Sequence, residues 1–457
     1  MSNRRTLALT AATLLACVTA SHASAQAEPI GGPPQLLEIH HAARKGDIEA
    51  LRRELANGVS PNAPNPGGYE WQANATPLIW AARLGTAEAI KVLLEAGARP
   101  NLTAADGATP LMLATAGEQA SEKIRLLLDA GADPNIIRGD GTTALIWAAS
   151  FCKEAEAITQ LVKAGARLDA RTARDGHTPL MVAARVGNVV TARALIKEGA
   201  PVEVKSDQGY TALMWAAEGS EGNAETVSAL IELGAEIEAR SSDGSTPLMI
   251  CALKGDPKRV KALLDRGADV KARTARGDSA LMAAATTGKP MNAKLLLDAG
   301  ADPNAANRDG VTPLALATLS GDPSTVRLLI AHGADVNAAN KDGWSPILLA
   351  QGIGIIEPLV NAGANVNVAA SVQSDRAGWT PVMFAIADRD SYSLRRLLRA
   401  GADLSPKNAA GQSAADIALS LPDDASKPLI LETLGIEAPA PATEPALPGP
   451  APQPIGS

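Results

Sequence analysis

The chain has 457 residues, a formal net charge of −7, and 46% hydrophobic but only 2% aromatic residues. The negative charge argues against a general nucleic-acid-binding surface, and the scarcity of aromatic residues requires a core built mostly from Ala, Leu, Ile, Val and Met. Thin layers of small side chains suit this composition, so one long repeat array is favoured over several separate globular domains.

The first 27 residues have the pattern of a secretory signal peptide. Arg4 and Arg5 precede an apolar stretch, and Ala23-Ser24-Ala25 forms a small-residue cleavage site. We therefore expect residues 1–27 to direct export to the periplasm or beyond. Residues 28–34 would then form a short N-terminal linker.

A second interpretation of this segment stays open. Leu14-Leu15-Ala16-Cys17 also resembles a bacterial lipoprotein signal, in which the cysteine is lipidated and anchors the chain. No later apolar run reaches the roughly 18 residues of a transmembrane helix, so no transmembrane segment is predicted.

One local pattern recurs about every 34 residues between residues 35 and 438. Thr-Pro-Leu, or a weaker copy of it, opens a first helix, because Thr or Ser can cap the helix and Pro suits its first position. A second apolar helix then ends at a glycine suited to the left-handed conformation. Asp-Gly pairs between units predict tight turns and projecting hairpin loops. The helix starts are Thr76, Thr109, Thr143, Thr178, Thr211, Thr246, Ser279, Thr312, Ser345, Thr380 and Ser413. The closing glycines are Gly97, Gly131, Gly165, Gly199, Gly234, Gly267, Gly300, Gly333, Gly363, Gly401 and Gly435.

This unit of a turn and two antiparallel helices resembles the ankyrin repeat. The resemblance covers residues 35–438 and implies an all-α repeat solenoid of about 11–12 stacked repeats, elongated and curved, with polar end caps. His40, His41 and Arg44 would make the first cap polar. Residues 439–457 are rich in Pro and Ala and are predicted to form a disordered tail.

One departure from the ankyrin pattern is consistent. The histidine that usually follows Thr-Pro-Leu is absent, and methionines occupy its position; these are Met112, Met181, Met214, Met249, Met282 and Met383. A recognition surface or a metal–thioether path is possible for such a row, but core packing is favoured. Trp80, Trp147 and Trp215 occupy the next position and are also interpreted as packing residues.

The sequence contains no motif for the common catalytic mechanisms. Cys152 and Cys251 lie in repeats that are too far apart for a disulfide, so two free thiols are predicted, with Cys152 near a helix end where it could be exposed. The remaining histidines are not expected to come together at a metal site. We therefore predict no enzymatic activity, no cofactor and no metal.

Four irregularities interrupt the array. Two are insertions at residues 64–74 and 218–223, one is a shortened tenth repeat around 352–356, and one is an extended hairpin at 371–376. Tolerated surface changes are favoured over functional sites at these places.

The concave face of an ankyrin array is lined by hairpin tips and first helices, so the residue after each turn glycine is expected to face a partner. Successive repeats carry there His177, Tyr210, Ser245, Asp278, Val311, Trp344 and Trp379. Nearby tips carry a predicted basic stripe of Arg138, Arg171, Arg174, Lys205, Arg240, Arg273, Arg308 and Lys341. These aromatic and basic residues either anchor an acidic partner surface or pack against neighbouring hairpins.

The resemblance implies a non-enzymatic protein–protein interaction scaffold, here in the bacterial periplasm or cell envelope. It would bind a partner protein on the concave hairpin and first-helix face, as a monomer and without nucleic acid. A lipid-anchored structural envelope protein and a secreted effector that binds a host protein are the alternatives.

Overall fold

The computed structural model describes residues 37–65, 72–219, 224–254, 256–371 and 376–437. The predicted signal peptide, the linker, the possible lipidation site at Cys17 and the Pro/Ala-rich tail lie outside these ranges. Within the described residues the chain is all-helical, with 24 helices and no strand. The repeat-solenoid prediction is therefore confirmed.

The helices form twelve consecutive pairs within the described ranges. They are α1 (Glu38–Lys45), α2 (Ile48–Ala56), α3 (Pro77–Leu84), α4 (Ala87–Glu95), α5 (Pro110–Ala114), α6 (Ala120–Asp129), α7 (Ala144–Phe151), α8 (Ala155–Lys163), α9 (Pro179–Val186), α10 (Val189–Lys197), α11 (Ala212–Glu218), α12 (Ala224–Glu232), α13 (Pro247–Lys254), α14 (Pro257–Leu264), α15 (Ala280–Thr286), α16 (Pro290–Asp298), α17 (Pro313–Ser320), α18 (Pro323–Ala331), α19 (Pro346–Leu349), α20 (Ile353–Asn361), α21 (Pro381–Ala387), α22 (Ser391–Arg399), α23 (Ala414–Leu419) and α24 (Ser426–Leu434). The odd-numbered helix opens each repeat and the even-numbered helix closes it.

The chain divides into two compact units. One unit ends at Arg308 and contains α1–α16, and the other begins at Asp309 and contains α17–α24. In each unit the first helix of a repeat packs on the first helix of the next repeat, and the second helices pack in the same way. Every repeat therefore buries its apolar face only with help from its neighbours.

The predicted capping chemistry is present. The Thr109 hydroxyl accepts the backbone N–H of Met112 at 3.1 Å, and the Ser279 hydroxyl accepts that of Met282 at 3.2 Å. Gly234, which closes the sixth repeat, has φ of 97°, a left-handed conformation that favours glycine. These bonds and angles begin and end each helix, so one short sequence pattern builds one repeat.

The methionine row lies in the core, because all six of these methionines are at most 4% exposed. The packing interpretation is therefore confirmed, and it is confirmed equally for Trp80 and Trp215, which are 3% and 4% exposed. The flexible methionine side chain fills the gap between one first helix and the next.

Asparagine side chains join successive repeats after their second helices. Asn62 donates to the carbonyl of Gly97 at 3.1 Å and accepts the backbone N–H of Arg99 at 2.8 Å. The same pair of bonds is made by Asn101, Asn135, Asn337 and Asn367. Because the closing glycine leaves an unpaired helix-end carbonyl, the asparagine of the preceding repeat stabilises it.

Two expectations about single residues are wrong. His40 is fully buried and its Nε2 lies 2.9 Å from the carbonyl oxygen of Ala63, so it braces the first repeat instead of adding polarity to its surface. Cys152 is also fully buried, and Asn188 and Thr191 of the following repeat donate hydrogen bonds to its carbonyl. Cys152 and Cys251 are both free thiols, as predicted.

Candidate protein-binding face

The hairpin loops and the first helices form one surface in each unit, which we call the hairpin face. Each loop closes on itself, as where Ser241 N–H donates to the Ser245 carbonyl at 3.1 Å, and it also bonds to the next loop, as where Arg308 N–H donates to the Arg276 carbonyl at 2.9 Å. Gly141 shows how tightly the loops approach, since a Cβ atom there would lie 2.3 Å from the backbone nitrogen of Ala173. The hairpins therefore form a rigid row.

The residue after the turn glycine is mostly buried, so the expectation that it faces a partner is wrong at five of the seven positions. His177, Ser245, Asp278, Val311 and Trp344 are between 3% and 8% exposed. For His177 and Trp344 the physical reason is that the ring packs against Trp215 and Phe384 of the following repeat. The Ser245 hydroxyl instead donates to Asp243 of its own loop.

Two clusters of aromatic rings show this arrangement. Trp215, the fourth residue of α11, is contacted by His177 from the preceding repeat at 4.4 Å between ring centroids and by Tyr210 from its own repeat at 5.2 Å. Phe384, the fourth residue of α21, is contacted in the same way by Trp344 at 6.1 Å and by Trp379 at 5.2 Å. His177 and Trp344 are thus structural, whereas Tyr210 and Trp379 are half-buried and stay predicted contact residues.

Some side chains of the basic stripe form a ladder of hydrogen bonds from one hairpin to the next, which we call the internal ladder. Arg171 donates to the carbonyl of Lys205 at 3.1 Å, Lys205 donates to that of Arg240 at 2.7 Å, and Arg240 donates to that of Arg273 at 2.5 Å. Each long side chain thereby ties its hairpin to the next one. The side chains of Lys205 and Arg240 remain exposed, so holding the row together still leaves cationic groups on its surface.

The other predicted basic residues differ from one another. Arg138 is half-buried, pairs with Asp106 at 2.9 Å and Asp140 at 3.1 Å, and stacks over Trp147 at 5.3 Å. Arg174, Arg308 and Lys341 are exposed on their hairpins. The structure therefore places Arg138 in an internal network, and it leaves the other three accessible.

A groove opens in the hairpin face of the unit that ends at Arg308. Its cavity volume is about 30 Å³, and its lining includes Tyr210, Asp243, Ile250, Leu253 and Asp278. Ile250 and Leu253 are buried, as expected of apolar residues in a helical pattern, and sequence reasoning missed that they also line this groove. For Ile250 the only signal is its place as the fourth residue of α13, since the fourth residue of a first helix faces the hairpins in both aromatic clusters described above.

The two carboxyl groups at this groove are held by their own loops. Asp243 accepts from the Ser241 hydroxyl at 2.5 Å and from the Ser245 N–H and hydroxyl at 3.0 and 2.9 Å. Partial burial acts to raise the pKa of Asp243, but these hydrogen bonds outweigh it and hold the pKa below its ordinary value. The Asp278 carboxylate accepts from the Asn307 amide at 2.8 Å. Both groups therefore shape the loops.

A second groove lies in the unit that begins at Asp309. Its cavity volume is about 300 Å³, and it lies between Gln351 and Gly352 on one side and Asp388 and Asp390 on the other. It exists because α19 has only four residues, Pro346–Leu349, which matches the shortened tenth repeat seen in the sequence. Among the other irregularities, residues 66–71, 220–223 and 372–375 lie outside the described ranges.

None of the described helices reaches the length and hydrophobicity of a membrane span. Likewise, the described ranges contain no group of three or more His, Cys, Asp or Glu side chains that could hold a metal ion. What the hairpin face offers is apolar area, aromatic edges and cationic tips.

The family model for ankyrin repeats (3 copies) matches overlapping segments that together span residues 39–408. The chain belongs to the ankyrin-repeat family. Among curated proteins it is similar to the human DNA-binding protein RFXANK, with 37% identity over 82 residues, and to the Caenorhabditis elegans transient receptor potential cation channel subfamily A member 1 homolog, with 39% identity over 77 residues. It is also similar to the ankyrin repeat-containing protein P1E11.10 of Schizosaccharomyces pombe, with 35% identity over 72 residues.

These matches cover 18%, 17% and 16% of this chain and 29%, 6% and 32% of the respective relatives. The chain thus spans less than a third of the length of each relative, and the similarity concerns the repeats alone. Ankyrin-repeat proteins are generally non-enzymatic interaction modules, so the repeats indicate a protein–protein interaction scaffold.

Proposed function

We propose that this chain is an exported scaffold that binds a partner protein on the hairpin face. The observation that carries the proposal is the groove beside Tyr210, which has an apolar floor of Ile250 and Leu253 and lies close to exposed cationic side chains on the hairpins. Aromatic and arginine side chains around an apolar centre are typical of protein interfaces. The exposed tips Arg174, Lys205, Arg240, Arg308 and Lys341 favour a partner with an acidic surface.

A protein partner is favoured over nucleic acid. The printed name of the human relative includes DNA binding, but that relative shares only 82 aligned residues with this chain. The net charge of −7 here would repel a phosphate backbone, and part of the basic stripe is engaged in the internal ladder. We further propose that the chain acts as a monomer, since stacked repeats need no second subunit.

Export is supported by the signal-like residues 1–27, and lipid anchoring through Cys17 is the alternative. Intact-mass measurement of the mature protein separates the two. An N-terminus at Gln26 or Glu28 supports a periplasmic or secreted scaffold, whereas a lipid-modified Cys17 supports an envelope-anchored spacer. An unprocessed Met1 would contradict export, and finding the chain inside host cells would favour the effector alternative.

Partner binding is tested by affinity capture from an envelope extract, with Tyr210→Ala compared against Tyr392→Ala. Tyr392 is 70% exposed on the second helix α22, away from the hairpin face, and so provides a matched control. We expect Tyr210→Ala to weaken capture by about 2 kcal/mol, as for a central aromatic anchor, and Tyr392→Ala to leave it unchanged. Thermal melting of both variants checks their fold. Equal capture by wild type and Tyr210→Ala would contradict the proposed face.

A further inference from the structure

A buried guanidinium closes the end of the first helix of the sixth repeat. Arg259, the third residue of α14 in the seventh repeat, donates to the carbonyls of Ala216 and Ala217 at 3.1 Å each. Its Nε also pairs at 3.0 Å with the carboxylate of Asp256, the residue that caps α14. The last carbonyls of a helix have no partner within that helix, so a donor from the next repeat satisfies them.

Other repeats fill the same place with a donor from their neighbour. Nζ of Lys123 donates to the carbonyl of Ala82 at 3.4 Å, and the amide of Asn292 donates to that of Ala252 at 3.1 Å. Ala82, Ala217 and Ala252 each lie six residues after the residue that caps their first helix. The chain itself therefore shows which group fits at this position, and at Arg259 and Lys123 that group is a cation.

The eleventh repeat lacks such a donor. Asp390 caps α22 as Asp256 caps α14, and Ser393 follows Asp390 by three residues, as Arg259 follows Asp256. Ser393 is short, and its hydroxyl donates to Asp390 of its own repeat. The side chain that would reach back to the tenth repeat is therefore missing.

The second groove, with its cavity volume of about 300 Å³, lies where that side chain would be. Gln351 follows the cap residue Ser345 by six residues, and both Ala350 and Gln351 line the groove. No described residue donates a hydrogen bond to the carbonyls of Ala350 and Gln351. The groove thus stands at the place of a missing donor, next to helix-end carbonyls.

The groove lining combines negative charge with apolar walls and contains no basic side chain. Asp388 is exposed and Asp390 is half-buried, while Arg389 between them pairs with Asp424 of the following repeat. Methylene groups of a long side chain would pack against the apolar walls. These walls are Ile347, Ile356, Pro381 and Ala385.

We propose that this groove binds an arginine side chain supplied by a partner protein. The guanidinium takes the place that Arg259 takes in the seventh repeat, donating to the carbonyls at the end of α19 and to the carboxylate of Asp390. Asp390 can accept it while bonded to Ser393, because each carboxylate oxygen accepts more than one hydrogen bond. Arginine is favoured over lysine, since its planar fork donates to several acceptors at once.

The occupant is a protein side chain, because Arg259 and Lys123 reach their places on packed protein segments. The site also goes beyond the proposed hairpin face. Gln351 and Asp388 lie in loops that follow the first helices, whereas the hairpins precede those helices.

The test titrates the full chain calorimetrically with the tripeptide acetyl-Gly-Arg-Gly-amide. The same tripeptide with citrulline is the neutral control, and it should bind about tenfold more weakly because charge-assisted hydrogen bonds are lost. Asp388→Asn should weaken binding of the arginine tripeptide about threefold. Asp298→Asn, which changes an exposed carboxylate on α16, should leave that binding unchanged.

Ser393→Arg fills the groove from within the chain. It should raise the melting temperature and abolish binding of the arginine tripeptide. Thr325→Arg is the matched control, because Thr325 also donates to its capping aspartate, Asp322. The helix-end carbonyls of the repeat before it already accept from Thr287, so Thr325→Arg should not raise the melting temperature and should leave tripeptide binding unchanged.

Several outcomes would overturn the proposal. They are equal binding of the arginine and citrulline tripeptides, unchanged binding by Ser393→Arg, or no binding at millimolar concentration. Tighter binding of free L-arginine than of the tripeptide would assign the groove to a small molecule, and equal binding of a lysine tripeptide would remove the role of the guanidinium. The Tyr210→Ala capture experiment tests the hairpin face separately, so each proposal fails on its own result.

Discussion

His177 packs edge-on against Trp215, with 4.4 Å between the ring centroids, across the boundary between two repeats. The contact couples the fifth hairpin to the sixth first helix, so a residue that looks like a surface anchor in the sequence is part of the stabilising interface between repeats. The contact also buries an ionisable ring, so the stability of the array depends on pH.

Stability should fall as the pH is lowered from about 6.5 to about 4, in part because of His177. Its pKa is lowered from 6.5 to about 4 in the folded chain, so the unfolded chain binds a proton first and the stabilisation present above pH 6.5 is lost on acidification. The full contribution is about 3 kcal/mol. We expect His177→Phe to reduce this pH dependence in urea unfolding. Parallel curves for wild type and variant over that range would contradict the assignment.

Arg259 should be a strong stability determinant. Its buried guanidinium donates to the carbonyls of Ala216 and Ala217 at 3.1 Å each and to that of Gly219, so it closes the end of α11 in the preceding repeat. Arg259→Met should cost about 3 kcal/mol of unfolding free energy, because buried carbonyls lose their donor. The control is Arg266→Met, which removes an exposed pair with Glu232 and should change denaturant unfolding very little.

Substitution of a closing glycine should lower the stability of the array because of its backbone conformation alone. A Cβ atom on Gly234 would meet nothing within 4 Å, but its φ of 97° is unfavourable for any other residue. Gly234→Ala should therefore cost about 1–2 kcal/mol and, because repeats contact only neighbours, split unfolding into more than one transition. Gly139→Ala is the matched control, because a Cβ atom there would also meet nothing within 4 Å and Gly139 has no left-handed φ. It should leave calorimetric melting unchanged. An equal effect of the two changes would contradict the argument.

Both described thiols should be unreactive in the folded chain. Burial raises the pKa of Cys152 above its ordinary value and raises that of Cys251 to about 12, so little thiolate forms at neutral pH. We expect thiol titration with a disulfide reagent to be slow in buffer and complete in denaturant. Rapid reaction of one thiol without denaturant would show that its repeat opens locally.

The sequence determined the repeat unit itself, because its signals act within a few residues. The Thr109 hydroxyl reaches the backbone three residues ahead, and Gly234 alone permits the conformation that ends α12. The burial of Met112 and its counterparts follows from helical periodicity, which the sequence also displays. Helix pairs, caps, turns and the core were therefore predictable from local chemistry.

Only the tertiary structure decided which residues of the hairpin face are accessible. His177 and Trp344 are buried because a side chain after the turn glycine reaches the following repeat, and the basic ladder forms because Lys205 reaches a carbonyl 35 positions further on. Burial and pairing at this face depend on the distances between stacked repeats. The sequence pattern of a single repeat does not contain those distances.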